Sequence, residues 1–256
     1  MLNFTRTFAA AAFAAGVAFG ASAMAQQVGG TDDKGGSVVI TAKYGGEKKP
    51  DRKPLDVSSD PYCVNYYKGK DGGPLNEKWV WAKDGNIANV FVQVSKGLDG
   101  KKFAAPDKPA VIDQAGCMYT PHVLGLVVGQ KLKITNSDST LHNVHGLPKL
   151  NTEWNIGQPV KGMANDFVLG KVDEGILVKC DVHAWMNSYV HVVAHPFFAV
   201  TGEDGTCTIK GLPAGEYELT VWHEFKTFQP DNATIKVTVK EGETAKATVT
   251  YAPKKS

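Results

Sequence analysis

Four side chains of types that bind transition metals lie in two short segments of the sequence. Cys180, His183 and Met186 fall within seven residues and supply a thiol, an imidazole and a thioether. His142 lies upstream, in a turn that reads His-Asn-Val-His. One cysteine, two histidines and a weakly bound methionine form the ligand set of a blue-copper site. The residue types and spacing therefore predict one type 1 copper ion bound by Cys180, His183, Met186 and a histidine of this turn.

Single-electron transfer is the chemistry that such a ligand set supports. A trigonal plane of two imidazoles and one thiolate, with a long axial thioether, is acceptable to both Cu(II) and Cu(I). Little has to move when an electron arrives, so transfer is fast. We therefore expect an electron carrier rather than an enzyme, and we expect electrons to pass through an exposed edge of His183.

Other chemistry on the same residues is less well supported. Zinc could use three of the ligands, but the methionine argues against it. A binuclear copper site would need a second cysteine in the loop. A Cys–His nucleophile would need an orienting third group and an oxyanion motif, and neither is evident. Seven histidines are too few for a type 1 site together with a trinuclear copper cluster, which excludes a multicopper oxidase.

Two other functions are compatible with the metal ligands. A protein for copper storage, delivery or sensing would bind the same ion, although such proteins often use open sites rich in Met and His. A structural module that has lost its metal would have no need of the four-ligand set. Both alternatives stay open beside the electron carrier.

The elements that must position these residues are predicted to be β-strands. Apolar residues alternate with polar ones, for example at Val90, Val92 and Val94, and no window shows a strong helical period. The 27 glycines and 13 prolines supply turns for many short strands. The sequence therefore predicts an all-β protein built as a β-sandwich with at most short helices.

The ligand segments resemble the cupredoxin family, and within it the amicyanin and plastocyanin type. The resemblance covers roughly residues 118–194. It rests on the Cys-x2-His-x2-Met loop, the His-Asn-Val-His turn and a strand pair at residues 127–136. It implies a Greek-key β-sandwich of the cupredoxin type. The ligands implied are His142, Cys180 and His183 in the plane and Met186 on the axis.

The same resemblance gives roles to residues beside the ligands. It implies that Asn143 ties the two ligand loops together by hydrogen bonds. The loop departs from the family pattern at Ala184-Trp185, where the family has Pro-Phe, so Trp185 is expected to shield the copper or to face a redox partner. Asp181 follows the ligating cysteine, and a carboxylate near the metal would stabilise Cu(II) and lower the potential.

If Cys180 binds metal, three other cysteines remain. Cys63 and Cys117 lie in turn-like contexts, and we predict a disulfide between them. Cys207 alternates with an apolar residue in a strand and is expected to be a buried thiol, although its pairing with either of the others is left open. His122 and His145 are expected to be hydrogen-bonded, and a contribution of either to a metal site also stays open.

The chain is predicted to be exported and to contain two folded units. Residues 1–25 form a secretory signal peptide that is cleaved after Ala25, so the protein is periplasmic or secreted. Residues 26–36 are expected to be a flexible lead-in, and residues 37–195 the copper domain. Residues 196–256 resemble the carboxypeptidase regulatory-like domain, which implies a small transthyretin-like β-sandwich without catalytic residues.

The charge balance limits the partners. The 28 lysines and arginines against 26 aspartates and glutamates give a net charge of +2. So small a charge gives no strong positive potential that would attract nucleic acid. No stretch after the signal peptide is apolar enough to span a bilayer. The expected partner is a redox protein such as a cytochrome or a dehydrogenase.

Overall fold

The computed structural model describes residues 27–28, 34–70, 73–82, 84–226, 228–232 and 234–253. These residues form eighteen strands and one helix. The predicted signal peptide lies outside the described residues, and so does part of the predicted lead-in. Within the described part of the lead-in, Gln27–Val28 forms a strand. The strands are β1 Gln27–Val28, β2 Gly36–Tyr44, β3 Phe91–Lys96, β4 Ala110–Gln114, β5 Tyr119–Thr120, β6 Val123–Val127, β7 Lys131–Asn136, β8 His142–Leu147, β9 Trp154–Gln158, β10 Ala164–Val168, β11 Asp173–Lys179, β12 Asn187–Val193, β13 Phe198–Val200, β14 Thr206–Leu212, β15 Gly215–Trp222, β16 Phe228–Pro230, β17 Thr234–Val239 and β18 Thr244–Pro253, and the helix is α1 Pro61–Tyr67.

The first sandwich carries the predicted ligands. One of its sheets has the strand order β10-β7-β4-β5, and the other has the order β6-β12-β11-β8-β9. Its strands alternate as the sequence predicts: in β7, Leu132 and Ile134 are fully buried, whereas Lys131 is exposed. Burial of each such aliphatic side chain stabilises the fold by about 1.5–3 kcal/mol. The prediction of an all-β protein built from sandwiches is confirmed.

The second sandwich draws strands from both ends of the chain. Its sheets have the orders β1-β13-β3-β15-β17 and β14-β2-β18-β16. Strand β2 pairs with β14 in antiparallel and with β18 in parallel fashion, and β3 pairs with β13 and β15. Val38, Ile40, Val92, Ile209 and Leu219 fill one core between these sheets.

The predicted boundary between residues 195 and 196 does not separate the two sandwiches. Strands β2 and β3 precede the first sandwich in the chain, yet they belong to the sheets of the strands that follow residue 196. The strands of the first sandwich, β4–β12, are thus inserted between β3 and β13. Alternation along β2 and β3 shows that each has an apolar face, but it does not show which distant strand covers that face.

An apolar seam joins the two sandwiches. Phe91 and Phe198 from the second sandwich pack with Val123, Val127 and Val193 from the first. All five side chains are buried, so the two sandwiches share an apolar contact.

Helix α1 lies outside both sandwiches and packs on the first. Asp60 caps it, because its Oδ1 accepts hydrogen bonds from the backbone N–H groups of Tyr62 and Cys63 at 2.7 and 3.2 Å. Pro61 stands at the first helical position, which tolerates a residue without an N–H. A disulfide between Cys63 and Cys117 fastens the helix to the sandwich. In the described part of the chain, no helix is long and apolar enough to cross a membrane.

Candidate metal centre

Three neighbouring strand ends bring the predicted ligands together. His142 begins β8, and Cys180 directly follows β11. The two strands are antiparallel neighbours, with Lys179 opposite His145, so the start of one meets the end of the other. Met186 directly precedes β12. Residues 180–186 therefore form the connection between β11 and β12, beside the first residue of β8.

Internal hydrogen bonds hold this connection in a compact loop. The N–H of Cys180 donates to the carbonyl of Met186 at 3.2 Å, and the N–H of Met186 donates to the carbonyl of His183 at 2.9 Å. The N–H of His183 lies 3.4 Å from the Cys180 sulfur. All four predicted ligands are buried, with exposed fractions of 0–2%. The loop thus holds them in a site that excludes bulk water.

The donor atoms of three ligands converge. Nδ1 of His142 lies 3.0 Å from Nδ1 of His183, which lies 3.7 Å from Sγ of Cys180. One donor atom from each of the three residues lies within 4.8 Å of the other two. Metal bonds of about 2.0 Å to nitrogen and about 2.3 Å to sulfur would span these separations from a single ion. The residues therefore fit one transition-metal ion, and the thiolate with two imidazoles suits copper.

The charge on Cys180 suits metal binding. Burial raises the pKa of its thiol, but hydrogen bonds from both histidines, from the Asn143 N–H at 3.3 Å and from the His183 N–H outweigh burial and lower the pKa to about 6. Cys180 is therefore a thiolate at neutral pH. Burial lowers the pKa of His142, but its bonds to Asp138 and Cys180 raise that pKa to about 9.

Each histidine contacts a carboxylate through its second nitrogen. Nε2 of His142 lies 2.9 Å from Oδ2 of Asp138, and Nε2 of His183 lies 3.0 Å from Oδ2 of Asp60. Burial raises the pKa of both carboxyls, but hydrogen bonds from the histidines and from backbone N–H groups lower it below its usual value. Both aspartates are therefore negatively charged at neutral pH.

Asn143 links the two ligand segments. Its Oδ1 accepts a hydrogen bond from the N–H of Asp181 at 3.1 Å. Its own N–H donates to the Cys180 sulfur. The hydroxyl of Tyr119 lies against the carbonyls of both Asn143 and Lys179, and so connects the same two segments from the other side.

The Asp181 carboxylate belongs to an exposed cluster of charges. It lies 2.7 Å from Nζ of Lys179 and 2.8 Å from Nδ1 of His145. The hydrogen bond from Lys179, and after it the one from His145, lower the pKa of the Asp181 carboxyl to about 2. Sequence adjacency to Cys180 suggested a carboxylate beside the metal. Successive residues after a strand point in different directions, however, and this one points to solvent.

The expectation of an exposed His183 edge is wrong. The His183 side chain is only 1% exposed, because α1 and the disulfide cover it. Sγ of Cys63 lies 4.0 Å from its Nε2, and the Trp185 ring centroid lies 5.0 Å from that of His183. Trp185 is half-buried, and its Nε1 donates to the carbonyl of Cys117 at 2.9 Å. Trp185 therefore shields the side of His183 that it contacts.

The structure pairs Cys63 with Cys117 and leaves Cys207 as a buried free thiol. The paired sulfurs lie near the histidines, in groups with Asp60 and Asp138, but a disulfide offers no thiolate to a metal. Burial raises the pKa of Cys207 to about 12, so this thiol stays protonated. Cys180 is the thiolate of the candidate site.

The two histidines that the sequence left open engage other groups. Nε2 of His122 lies 2.6 Å from Oε1 of Glu224, and its Nδ1 lies 3.4 Å from Oε2 of Glu77. Burial lowers the pKa of His122, but both glutamates raise it to about 10. Nδ1 of His145 contacts Asp181, and its Nε2 lies 2.9 Å from Oε1 of Glu153. Neither histidine joins the donor cluster.

Sequence reasoning missed Asp60, Asp138 and Tyr119. An aspartate before a proline is a helix-start signal, so Asp60-Pro61 could have revealed α1. Nothing local could have placed that helix over His183, which is 123 residues away. Asp138 precedes His142 by only four residues, but it lies in a run of small polar residues that reads as a turn.

Comparison with known proteins gives weak likenesses to copper proteins. No protein-family model and no curated protein matches the chain. A copper-containing nitrite reductase from Thermus scotoductus is 20% identical over 39% of this chain, with a TM-score of 0.29, and this chain covers 25% of its length. A Cu(I) form of an amicyanin variant is 22% identical over 40% of this chain and 97% of its own, with a TM-score of 0.30. A purple cupredoxin from Nitrosopumilus maritimus is 26% identical over 32% and 98%, with a TM-score of 0.27.

Proposed function

We propose that this protein is a type 1 copper protein that carries single electrons between redox partners. The observation that carries the proposal is the convergence of three donor atoms, Nδ1 of His142, Nδ1 of His183 and Sγ of Cys180, in one buried site. Met186 is fully buried in the same core and closes the loop. It would be the fourth, weakly bound ligand, as the sequence predicts. Copper bound there would supply the Cu(II)/Cu(I) couple.

The protein's own residues would keep the site rigid. Backbone N–H groups of Asn143 and His183 donate to the Cys180 sulfur and stabilise its negative charge. The loop hydrogen bonds, Asn143 and Tyr119 hold the donors in place. A site that is already ordered needs little rearrangement on electron transfer. The surrounding core excludes water and any substrate, which favours a carrier over an enzyme.

Export and partner follow from the same proposal. We infer a periplasmic or secreted protein, because the N-terminal segment has the pattern of a signal peptide and because disulfides such as Cys63–Cys117 persist in oxidising compartments. The partner would be another redox protein. The second sandwich, which includes the segment similar to the carboxypeptidase regulatory-like domain, would support the copper-binding sandwich.

A titration with copper tests the proposal. The mature chain, residues 26–256, is loaded with one equivalent of Cu(II), and its visible absorption and EPR spectra are recorded. We expect an intense thiolate-to-copper band and a small hyperfine splitting, both bleached reversibly by a reductant. A pale spectrum with ordinary tetragonal copper parameters would reject the type 1 assignment.

Copper storage or delivery without electron transfer is the second candidate. The cover of α1 and Asp60 over His183 favours it, since a buried ligand hinders contact with a redox partner. Measurement of the electron self-exchange rate separates the two candidates. Rapid self-exchange supports the carrier, whereas a type 1 spectrum with negligible self-exchange would support copper retention.

A further inference from the structure

Both histidines of the candidate site are held in the same manner. Each turns Nδ1 towards the other and towards Cys180, and each turns Nε2 towards an aspartate. Because an ionised carboxylate only accepts hydrogen bonds, it holds a ring proton on Nε2, so Nδ1 is the nitrogen from which a metal would displace a proton. The arrangement therefore prepares both rings to bind a metal through Nδ1.

The two aspartates are themselves firmly held. Asp138 accepts hydrogen bonds from the N–H groups of Gly116 and Cys117 at 2.8 and 2.7 Å and from the Tyr62 hydroxyl at 3.1 Å. Its side chain is 3% exposed. The Asp60 side chain is 16% exposed, and it caps α1 and accepts from the Thr140 hydroxyl at 2.9 Å. Neither carboxylate can turn away from its histidine without losing these bonds.

We propose that Asp60 and Asp138 are positioning residues that orient His183 and His142 towards the metal and lower its reduction potential. This inference deepens the proposed copper function and rests on it. A carboxylate that accepts the Nε2 proton makes the ring a stronger donor at Nδ1. Stronger donors and added negative charge stabilise Cu(II) more than Cu(I). Asp138 is buried and the Asp60 side chain is 16% exposed, so the charge of Asp138 is the less screened of the two.

Replacement of each carboxylate by an amide tests the effect on potential. Asp60→Asn and Asp138→Asn keep a side-chain oxygen at the same place but remove the charge, and asparagine caps a helix as well as aspartate does. Potentials are measured by redox titration of the copper-loaded mature chain at pH 7. We expect each variant to favour Cu(I) over Cu(II) by at least about tenfold, which is an upward shift of about 59 mV for a one-electron couple. The shift should be larger for Asp138, which is more deeply buried.

Asp181→Asn is the matched control. It removes the same charge one residue from Cys180, but this carboxylate is exposed and bound to Lys179 and His145. We expect it to change the ratio of Cu(I) to Cu(II) binding by less than about threefold, since exposed charges are screened. Equal shifts in all three variants, or no shift at Asp60 and Asp138, would overturn the proposal.

Tyr62→Phe supplies a test with the opposite sign. It removes the hydroxyl that donates a hydrogen bond to Asp138. The carboxylate then accepts a stronger hydrogen bond from His142, so we expect the reduction potential to fall. A merely structural role for Asp138 gives no reason for opposite shifts in Tyr62→Phe and Asp138→Asn. A potential that rises in Tyr62→Phe, in a protein of unchanged melting temperature, would contradict the proposal.

Cobalt binding separates this inference from the proposed function. If the wild-type protein lacks a type 1 copper spectrum, the proposed function fails, but the orientation of the histidines can still be tested with Co(II) alone. Competition with a chelator should show about tenfold weaker Co(II) binding in Asp60→Asn and Asp138→Asn, and unchanged binding in Asp181→Asn. Unchanged Co(II) affinity in the first two variants would overturn the positioning role.

Discussion

At the scale of single residues, the Cys180 sulfur decides what the site can do. It is a buried thiolate that accepts hydrogen bonds from two backbone N–H groups and lies next to the imidazoles of His142 and His183. We expect Cys180→Ser to abolish the intense visible band while the protein keeps its fold, because serine is smaller and its hydroxyl stays protonated. Absorption spectra and melting curves of both proteins check this. An intense band that survives in the variant would place the thiolate elsewhere.

Met186 is the second residue with a separable role. Leucine has nearly the same volume, so Met186→Leu should cost less than about 1.5 kcal/mol of stability. We expect the variant to retain copper and to have a higher potential, because a weak axial donor to Cu(II) is lost. Redox titration of the loaded proteins measures the change. An unchanged or lower potential would contradict the axial assignment.

At the scale of elements, α1 acts as a cover that the disulfide fastens over His183. Loss of a native disulfide typically costs about 2–4 kcal/mol. In the double variant Cys63→Ala, Cys117→Ala, we therefore expect lower stability and also faster transfer of copper to a chelator, since the cover opens more often. Stopped-flow transfer measurements test this.

Cys207→Ala is the control for that experiment. Cys207 is a buried free thiol in the core of the second sandwich, so its loss leaves a cavity and lowers stability away from the site. We expect copper transfer from this variant at the wild-type rate. If both variants release copper equally fast, global stability and not the cover of α1 controls release.

At the scale of the whole molecule, strand pairing makes the two sandwiches depend on both ends of the chain. A chain that stops at residue 195 loses β13–β18, and with them the partners of β2 and β3. Their apolar faces would lie in water. We expect residues 26–195 to aggregate and to show no cooperative unfolding, by size-exclusion chromatography and thermal circular dichroism. A monomeric, cooperatively folded product would contradict the observed sheet topology.

The seam between the sandwiches predicts a sensitivity to acid. His191 is fully buried there, stacked on Phe91 with 4.0 Å between ring centroids, and neither ring nitrogen has a hydrogen-bond partner among the described residues. Burial lowers its pKa to about 3. As the pH falls below about 6.5, His191 binds a proton in the unfolded chain but stays neutral in the folded chain, so folding stability falls.

Replacement of His191 by phenylalanine should remove this sensitivity. As the pH falls from 7 to 5, we expect the unfolding free energy of the wild type to drop by about 2 kcal/mol relative to that of His191→Phe. The reason is that each pH unit below the pKa of the unfolded histidine costs the wild type about 1.4 kcal/mol. Urea unfolding at both pH values measures the difference. A difference between the two proteins that does not change with pH would show that His191 takes up its proton in the folded state as readily as in the unfolded state.

Features that depend on near neighbours in the chain can be predicted from the amino-acid sequence. Alternation predicts the strands, because the side chains of a strand point to opposite faces in turn. The spacing from Cys180 to Met186 predicts the ligand loop, because one short connection carries all three donors. Contacts between distant parts of the chain come from the tertiary structure. They include the contact of Asp60 with His183 across 123 residues and the pairing of β2 with β18 at the other end of the chain. No local pattern specifies such contacts, because they arise only when distant apolar faces find the partners that cover them.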